Sequence, residues 1–532
     1  MKVIIKISFI GLILVILFIQ CEKETPIHIP ASSFLNALIE LGIDTNGDSV
    51  ISKSEAEAVT SLDISGMGIT DLDGIEAFIN LETFDCGSND LRGNLDLSEC
   101  TALTVLECQY NYLTSLDISS CSELTSLNCA GNNSLTDMDI SRCPRLSYLN
   151  CSTNQLTDLD VSQCPGISFL HCGYNKLTVL DVSSCPALEY LNCSANLLTM
   201  LDISGIKEMQ ELQCYGNNLS TLDVSDCSAL LILSCWGNQL TELDVSECKV
   251  IQELSCSLNQ LTELDFSGCS ALKELKASDN LLSDLKVSGY SSLNILGCSE
   301  NQLSSVDASG CTSLNEIYCR DNPLDSLNLS GCISLYDLDF RHYQLSSLDV
   351  SGCSRLWRLY CNYNKLTHLN IAECPRLDYL YCGNNLLTSL DASICPGLRE
   401  FKCENNDLVS LDVSGLASLT SLFCGENKLT SLDVTDLTSL KFLICGGNRL
   451  TSLDVSNLSN LESLNCAGNT LSSLDISNNQ KLGARQESCE LDIRDMPSLN
   501  EVCVWILPFP PSELSLCMDG SPNVYFTIEC SK

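Results

Sequence analysis

The sequence predicts a β-rich solenoid of parallel strands with little helix, and three observations predict it. After residue 60 a unit of 21 residues, L-x-x-L-x-C-x-x-N-x-L-T-x-L-D-V-S-x-C, recurs nineteen times in phase. Within each unit the run around L-x-C and the run L-D-V-S both alternate, with the period of two that a half-buried strand requires. No helical pattern of roughly ten to twelve residues fits between the two runs. Stacked copies pair their strands in parallel about 4.8 Å apart. They share one core, so stability is distributed between neighbours. The repeat overrides the several globular domains that a length of 532 residues suggests.

The chain opens with an address. In residues 1–20, Lys2 and Lys6 precede an apolar run from Ile7 to Ile19, interrupted only by Ser8 and Gly11. This is a signal-peptide pattern, too short for a comfortable membrane span. Cys21 follows, and the stretch resembles a bacterial lipoprotein signal, which implies that Cys21 is lipidated and becomes the mature N-terminus. Gln20 and Phe18 depart from that family's preference for small residues, and an ordinary secretion signal cleaved nearby is the alternative. In the tether, residues 21–32, Glu22, Lys23 and Glu24 resemble the acidic segment that sends some Gram-negative lipoproteins to the outer face of the outer membrane. The resemblance implies an exported outer-membrane lipoprotein at the cell surface. Membrane attachment is expected only through the lipid, since no second long apolar run occurs.

Residues 33–60 form an EF-hand-like segment. Apolar spacing in residues 31–41 suits a short helix. In residues 44–55, DTNGDSVISKSE, the oxygens of Asp44, Asn46, Asp48, the Val50 carbonyl, Ser52 and Glu55 fall at loop positions that wrap a hard cation. The pattern resembles a single EF-hand or half of a dockerin-like unit and implies a structural Ca²⁺. Ser49 stands where glycine usually makes the sharp turn, and Gly47 eases the bend. The alternative is a polar turn with no ion.

Residues 61–481 carry the repeats, which resemble leucine-rich repeats, most closely internalin-like repeats with a cysteine ladder. The first column runs from Cys86 to Cys466, broken only by Ala277 and Phe340. The second runs from Cys100 to Cys395, with vacancies filled by Ile206, Tyr290, Leu416, Leu437, Leu458 and Asn479. Mostly apolar replacement says that these positions are packed, and buried thiols are expected to act as small hydrophobes. Disulfides or metal sites would need converging side chains, which in-register neighbours do not supply. The asparagine column, Asn89 to Asn469 with the one exception Tyr343, is expected to satisfy backbone groups of adjacent turns. Sixteen of nineteen L-D-V-S positions are Asp, so like charges stack unless they bond local N–H groups or collect cations.

The net charge of −40 argues against nucleic acid and against a basic membrane-binding face. No nucleophile, phosphate loop or histidine cluster marks an enzyme. Residues one and three before the column cysteine, and one after, should face outward. They give a first aromatic cluster (Tyr148, Phe169, His171, Tyr190, Tyr215, Trp236) and a second, richer one: Tyr318, Arg320, Asp337, Asp339, Arg341, Arg358, Tyr360, Tyr379 and Tyr381, with His342 and Tyr363 beside it. Tyrosine and arginine on an exposed sheet suit recognition, although tyrosine is common on any β-face. The second cluster also coincides with the scaffold breaks Phe340 and Tyr343. Residues 482–532 read as a cap, with Pro508, Pro510 and Pro511 ending the exposed edge and Cys489, Cys503, Cys517 and Cys530 leaving room for one or two disulfides. The family resemblance implies binding of a protein or glycan through the concave sheet face, in adhesion or recognition at a bacterial surface. The alternative is a periplasmic or outer-membrane scaffold for other bacterial proteins.

Overall fold

The computed structural model describes residues 25–30, 32–329, 331–484 and 489–530. The expected signal sequence, Cys21 and residues 22–24 lie outside them. The chain divides into two compact units, Met1–Leu156 and Thr157–Lys532.

The first unit begins with helix Ser33–Glu40, whose N-terminus is capped by the Ser32 hydroxyl and whose Phe34, Ala37 and Leu38 are buried. The Phe34 ring lies 6.3 Å from that of Phe78. A short second helix, Lys53–Glu57, starts with a capping box between Ser52 and Glu55. Strands Ser61–Asp63, Thr83–Asp85, Val105–Glu107, Ser126–Asn128 and Tyr148–Asn150 then pair in parallel, aligning Leu62, Phe84, Leu106, Leu127 and Leu149. On the opposite strip Arg92–Asp96 pairs with Tyr112–Asp117, with a register shift between Gly93 and Asn94. This copy carries three residues between Leu91 and Leu95 where the consensus has two. Gly93 absorbs the extra residue at φ +79°, a conformation costly for other residues.

In the second unit the main sheet runs in register from Phe169–His171 to Ser463–Asn465, each strand pairing with the one a repeat later. The middle residue of each strand points into the core and its flanks point out, as in Asp337, Leu338 and Asp339. The L-D-V-S strip buries its Leu and Val, exposes its Asp and forms only short sheets, such as Glu242–Asp244 with Glu263–Asp265. The boundary expected at residue 482 is not a boundary of strand pairing. Ser463–Asn465 continues to Leu491–Asp492 and then Leu516–Cys517, while Ser473–Asp475 continues to Glu501–Cys503 and Tyr525–Thr527. Disulfides Cys489–Cys517 and Cys503–Cys530 join these added turns.

The three ladders divide the work of satisfying the backbone. Asn196 is typical of its column: its amide donates to the carbonyls of Cys172 and Cys193, both at 3.1 Å, and its oxygen accepts the Leu177 N–H at 2.9 Å. One buried side chain thereby closes three backbone groups in two turns. All sixteen L-D-V-S aspartates accept the N–H of the residue two places on, as in Asp223 from Ser225 at 2.9 Å. Local bonding therefore accounts for this column. The thirty ladder cysteines are buried thiols. Those of the second column are more than small hydrophobes, because many reach a carbonyl 24 residues back, as Cys311 does to Val287 at 2.9 Å and Cys269 to Val245 at 3.2 Å. Tyr290 and Asn479, standing in for cysteine, make the same bond to Phe266 at 2.6 Å and Val455 at 3.0 Å.

Candidate functional site

Strand register assembles the second cluster. Tyr318, Asp339, Tyr360 and Tyr381 are direct neighbours along one outward row. Asp337, Arg358 and Tyr379 form the parallel row on the other side of the buried Leu338, Leu359 and Leu380. Arg320 and Arg341, one residue past the core position, are exposed at the strand ends. Seven of the nine residues therefore lie on one face of four adjacent strands, with Arg320 and Arg341 just past the strand ends, and Tyr318 is the most open of the patch's four tyrosines at 47 % exposure.

The patch is held by its own contacts. Arg341 grips Asp339 with two parallel bonds, Nε to Oδ1 at 2.9 Å and Nη2 to Oδ2 at 2.7 Å, and its guanidinium lies 5.6 Å from the Tyr360 ring centre. Arg358 pairs with Asp337. The Tyr360 and Tyr381 rings sit 4.9 Å apart, and Lys402 places its ammonium 4.2 Å from the Tyr381 ring. Tyr318 donates to Glu316 at 2.6 Å, which, with burial and the carboxylate's charge, pushes its hydroxyl up to about 12. Burial raises the Asp337 carboxyl despite the opposing pull of Arg358. His342 and Tyr363 stack at 4.7 Å beside the patch. The scaffold breaks themselves turn inward: Phe340 and Tyr343 are buried, with rings 5.4 Å apart, and belong to the core beneath the patch.

Next to Tyr318 the sheet has a dent that reading outward positions by charge and aromaticity missed. Gly297 occupies the row of Lys276 and Tyr318 without a side chain, opening a cavity of about 520 Å³ whose walls include Lys276, Tyr318, Arg320 and Asp339. A glycine at an outward strand position is the signal that would have found it. In the first cluster Phe169 stacks on Tyr190 at 4.3 Å and Tyr215 on Trp236 at 4.6 Å, while Tyr148 lies in the first unit.

The N-terminal loop folds much as a cation loop would. Asp44 accepts the N–H groups of Gly47 and Ser49, Asn46 that of Asp48, and Asp48 that of Val50. Ser49 adopts φ +63°, the turn expected of glycine. The Glu55 carboxylate, however, accepts from Thr45 N–H and hydroxyl at 2.7 Å, from Asn46 N–H, and from Ser52 N–H and hydroxyl at 2.9 Å. Carboxylate oxygens of Asp44, Asp48 and Glu55 do not all come within 4.8 Å of one another. This arrangement lets Glu55 close the loop by hydrogen bonds and does not gather the loop's acids around one point. Burial also holds the second-column thiols far from ionisation, with Cys100 pushed up to about 11 and Cys121 to about 12, so they are poor nucleophiles.

The family description "Leucine Rich repeats (2 copies)" matches residues 122–163. No curated protein matches the chain. Among solved structures, YopM from Yersinia enterocolitica is 24 % identical over 78 % of this chain and 95 % of its own, with a TM-score of 0.56. The plant peptide hormone receptor RGFR1, solved in complex with RGF2, is 19 % identical over 90 % of this chain and 95 % of its own, at 0.55. The functional domain of InlJ from Listeria monocytogenes, described as including a cysteine ladder, is 25 % identical over 89 % of this chain and 80 % of its own, at 0.39.

Proposed function

Because the chain is a leucine-rich-repeat solenoid, we propose that it is an exported, lipid-anchored recognition protein. It binds a macromolecular partner, protein or glycan, through the exposed face of the main sheet, and serves adhesion or recognition at a bacterial surface. The observation that carries this reading is the continuous arginine–tyrosine patch over four strands, from Tyr318 to Tyr381. Residues of these types dominate binding energy where they are clustered. Here they are already fixed by the Arg341–Asp339 fork and the Tyr360–Tyr381 contact, so little side-chain freedom is lost on binding. A solved receptor of the same fold in complex with RGF2 is consistent with this use of the fold. Cystines at the C-terminal turns suit an oxidising, exported compartment. A structural Ca²⁺ at Asp44, Asn46, Asp48, Val50, Ser52 and Glu55 is part of the same proposal, and it requires Glu55 to release its bonds to Thr45 and Asn46.

The test is a binding screen of the mature chain against surface proteins and glycans, followed by the triple substitution Arg341→Ala, Tyr360→Ala, Tyr381→Ala. Affinity for the partner should fall by about a hundredfold or more, with the thermal midpoint little changed because all three side chains lie on the surface. An unchanged affinity would sink the sheet-face reading. Protease shaving of intact cells, with a periplasmic control, reads the location: cleavage only after the outer membrane is breached rejects the surface assignment.

A further inference from the structure

We propose that a second site, a pocket on the flank of the main sheet, binds an acidic glycan through a sugar ring that carries a carboxylate or sulfate. Tyr336, Trp357, Asp378 and Arg399 each immediately precede a strand of the main sheet. Their backbones are laddered, Trp357 N–H to Tyr336, Asp378 to Trp357 and Arg399 to Asp378, at 2.8, 2.9 and 2.9 Å. Two residues earlier in three of these repeats stand Arg355, Arg376 and Gly397. Together they enclose about 370 Å³, at the small end of ligand pockets, which span about 300–1,000 Å³. That size suits one or two rings rather than the surface of a folded partner.

The charge of this pocket runs against the rest of the chain. The protein carries −40, and six of its twelve arginines fall between residues 320 and 399. Three of the six line this pocket with a single carboxylate, Asp378. Several arginines elsewhere are paired, as in Arg145–Glu123 and Arg494–Asp492, and Arg358 beside the pocket is paired with Asp337. Among the described residues, Arg355 and Arg376 have neither an ion pair nor a side-chain hydrogen bond, although they occupy equivalent places in consecutive repeats. Neighbouring unpaired guanidinium groups repel, and an anion between them removes the repulsion while using their forked donors.

Two further observations select a sugar over an acidic peptide. Asp378 is only 8 % exposed, and its Oδ2 accepts the Trp357 indole N–H at 3.0 Å. Its Oδ1 is ion-paired with Arg399 Nε at 3.3 Å but makes no hydrogen bond, so it becomes an acceptor for a ligand donor when the exposed Arg399 side chain swings aside. A uronic or sulfated sugar carries hydroxyl donors on the carbons next to its anionic group, whereas the donors of an acidic peptide are backbone N–H groups, set further from a glutamate carboxylate. Tyr336, stacked on Trp357 at 5.4 Å and 44 % exposed, offers a ring face to the C–H side of a pyranose. None of the nine sheet-face residues lines this pocket; Arg358 and Tyr379 touch its Trp357, at 4.8 and 5.4 Å, so the two sites are separated by substituting Arg341, Tyr360 and Tyr381, which do not line it.

The experiment titrates the mature chain by calorimetry with hexagalacturonate, sulfated maltohexaose, maltohexaose and hexaglutamate, at low and high salt. At least one anionic oligosaccharide should bind, more weakly as salt rises, while maltohexaose does not and hexaglutamate is at least about tenfold weaker. Hexagalacturonate alone identifies the carboxylate, and sulfated maltohexaose alone the sulfate. Substituting Arg355→Ala and Arg376→Ala together should weaken binding by about tenfold or more without moving the thermal midpoint; Arg355→Lys with Arg376→Lys should restore only part of it, since the ammonium lacks the fork. No binding of either anionic oligosaccharide, equal binding by the alanine variant, or hexaglutamate bound as well as the better sugar overturns the proposal. The triple variant Arg341→Ala, Tyr360→Ala, Tyr381→Ala should bind these sugars normally. If that variant loses them while the double variant does not, the glycan sits on the sheet face and the flank pocket is rejected.

Discussion

Glu55 shows how one side chain can satisfy two different sequence patterns. Its spacing from Asp44, Asn46 and Asp48 is that of a cation ligand, and its spacing from Ser52 is that of a capping box. Both uses draw on the same carboxylate lone pairs, so spacing alone cannot separate them. Burial raises the Glu55 carboxyl, but the Ser52 N–H, the Thr45 and Ser52 hydroxyls and the Thr45 N–H outweigh it and hold it at about 2. A folded value below the unfolded one adds stability at pH above about 4.5 that is lost as the pH falls towards 2. Glu55→Gln should therefore cost about 1 kcal/mol or more at pH 7 in chemical unfolding and little at pH 2. Melts with added calcium and with chelator test the ion separately. If calcium is held, it raises the midpoint of the wild type and leaves that of Glu55→Gln unmoved; equal midpoints in the wild type would mean that Glu55 is a cap alone.

At the scale of the repeat, most of the structure was legible because period and chemistry agree. Alternation fixed which residues face out, and all nine candidate side chains lie where it placed them. The flank pocket was not legible, since Trp357, Asp378 and Arg355 precede the strands, where a period of two no longer assigns a direction. The second cysteine column looks apolar in the sequence because leucine and isoleucine replace it. Tyr290 and Asn479 were the clue, since both can donate to the carbonyl that the thiols reach. The aspartate ladder has its own consequence for pH. Hydrogen bonds from the backbone N–H and hydroxyl of the following Ser hold Asp96, Asp223 and Asp265 below the ordinary carboxylate range. Hydroxyl and N–H of Ser or Thr do the same for Asp139, Asp433 and Asp454. Depressed folded values mean stability that is present above pH ~4 and lost below it, so denaturant midpoints should fall steeply from pH 5 to pH 3. Asn370 already accepts the Ala372 N–H at 3.1 Å. Replacing Asp96, Asp223, Asp265 and Asp454 with Asn should therefore keep most stability at pH 7 and flatten the acid limb, whereas Ala should lose about 0.5–1.5 kcal/mol at each position. An acid limb as steep in the Asn variant as in the wild type would remove these aspartates from the account.

At the scale of the whole molecule, the cysteines among the described residues fall into two chemical populations, and the repeat explains why. Up to residue 481 each turn is nearly the same length, so equivalent side chains stack pointing the same way and the ladder cysteines remain buried free thiols. Beyond it the spacing lengthens: Leu464 aligns with Leu491 and then with Leu516. Strand stacking survives where sequence periodicity does not, and for that reason the sequence read as a cap. The off-ladder cysteines face one another across those longer turns and form Cys489–Cys517 and Cys503–Cys530, closing separations of 28 and 27 residues. Chain entropy assigns each closure about 3.5 kcal/mol. Oxidised edges beside a reduced ladder are what a chain exported into an oxidising compartment should retain, because ladder thiols held above their ordinary pKa by burial present almost no thiolate to an oxidant. Thiol labelling of the mature protein purified from membranes measures this directly. A maleimide should modify none of the ladder in the native state. In denaturant without reductant it should modify thirty cysteines, which leaves Cys21 blocked by lipid and the four C-terminal cysteines oxidised. One extra label, mapped by mass spectrometry to Cys21, would reject the lipid anchor. Labels at Cys489, Cys503, Cys517 or Cys530 would reject the cystines and, with them, the redox support for export.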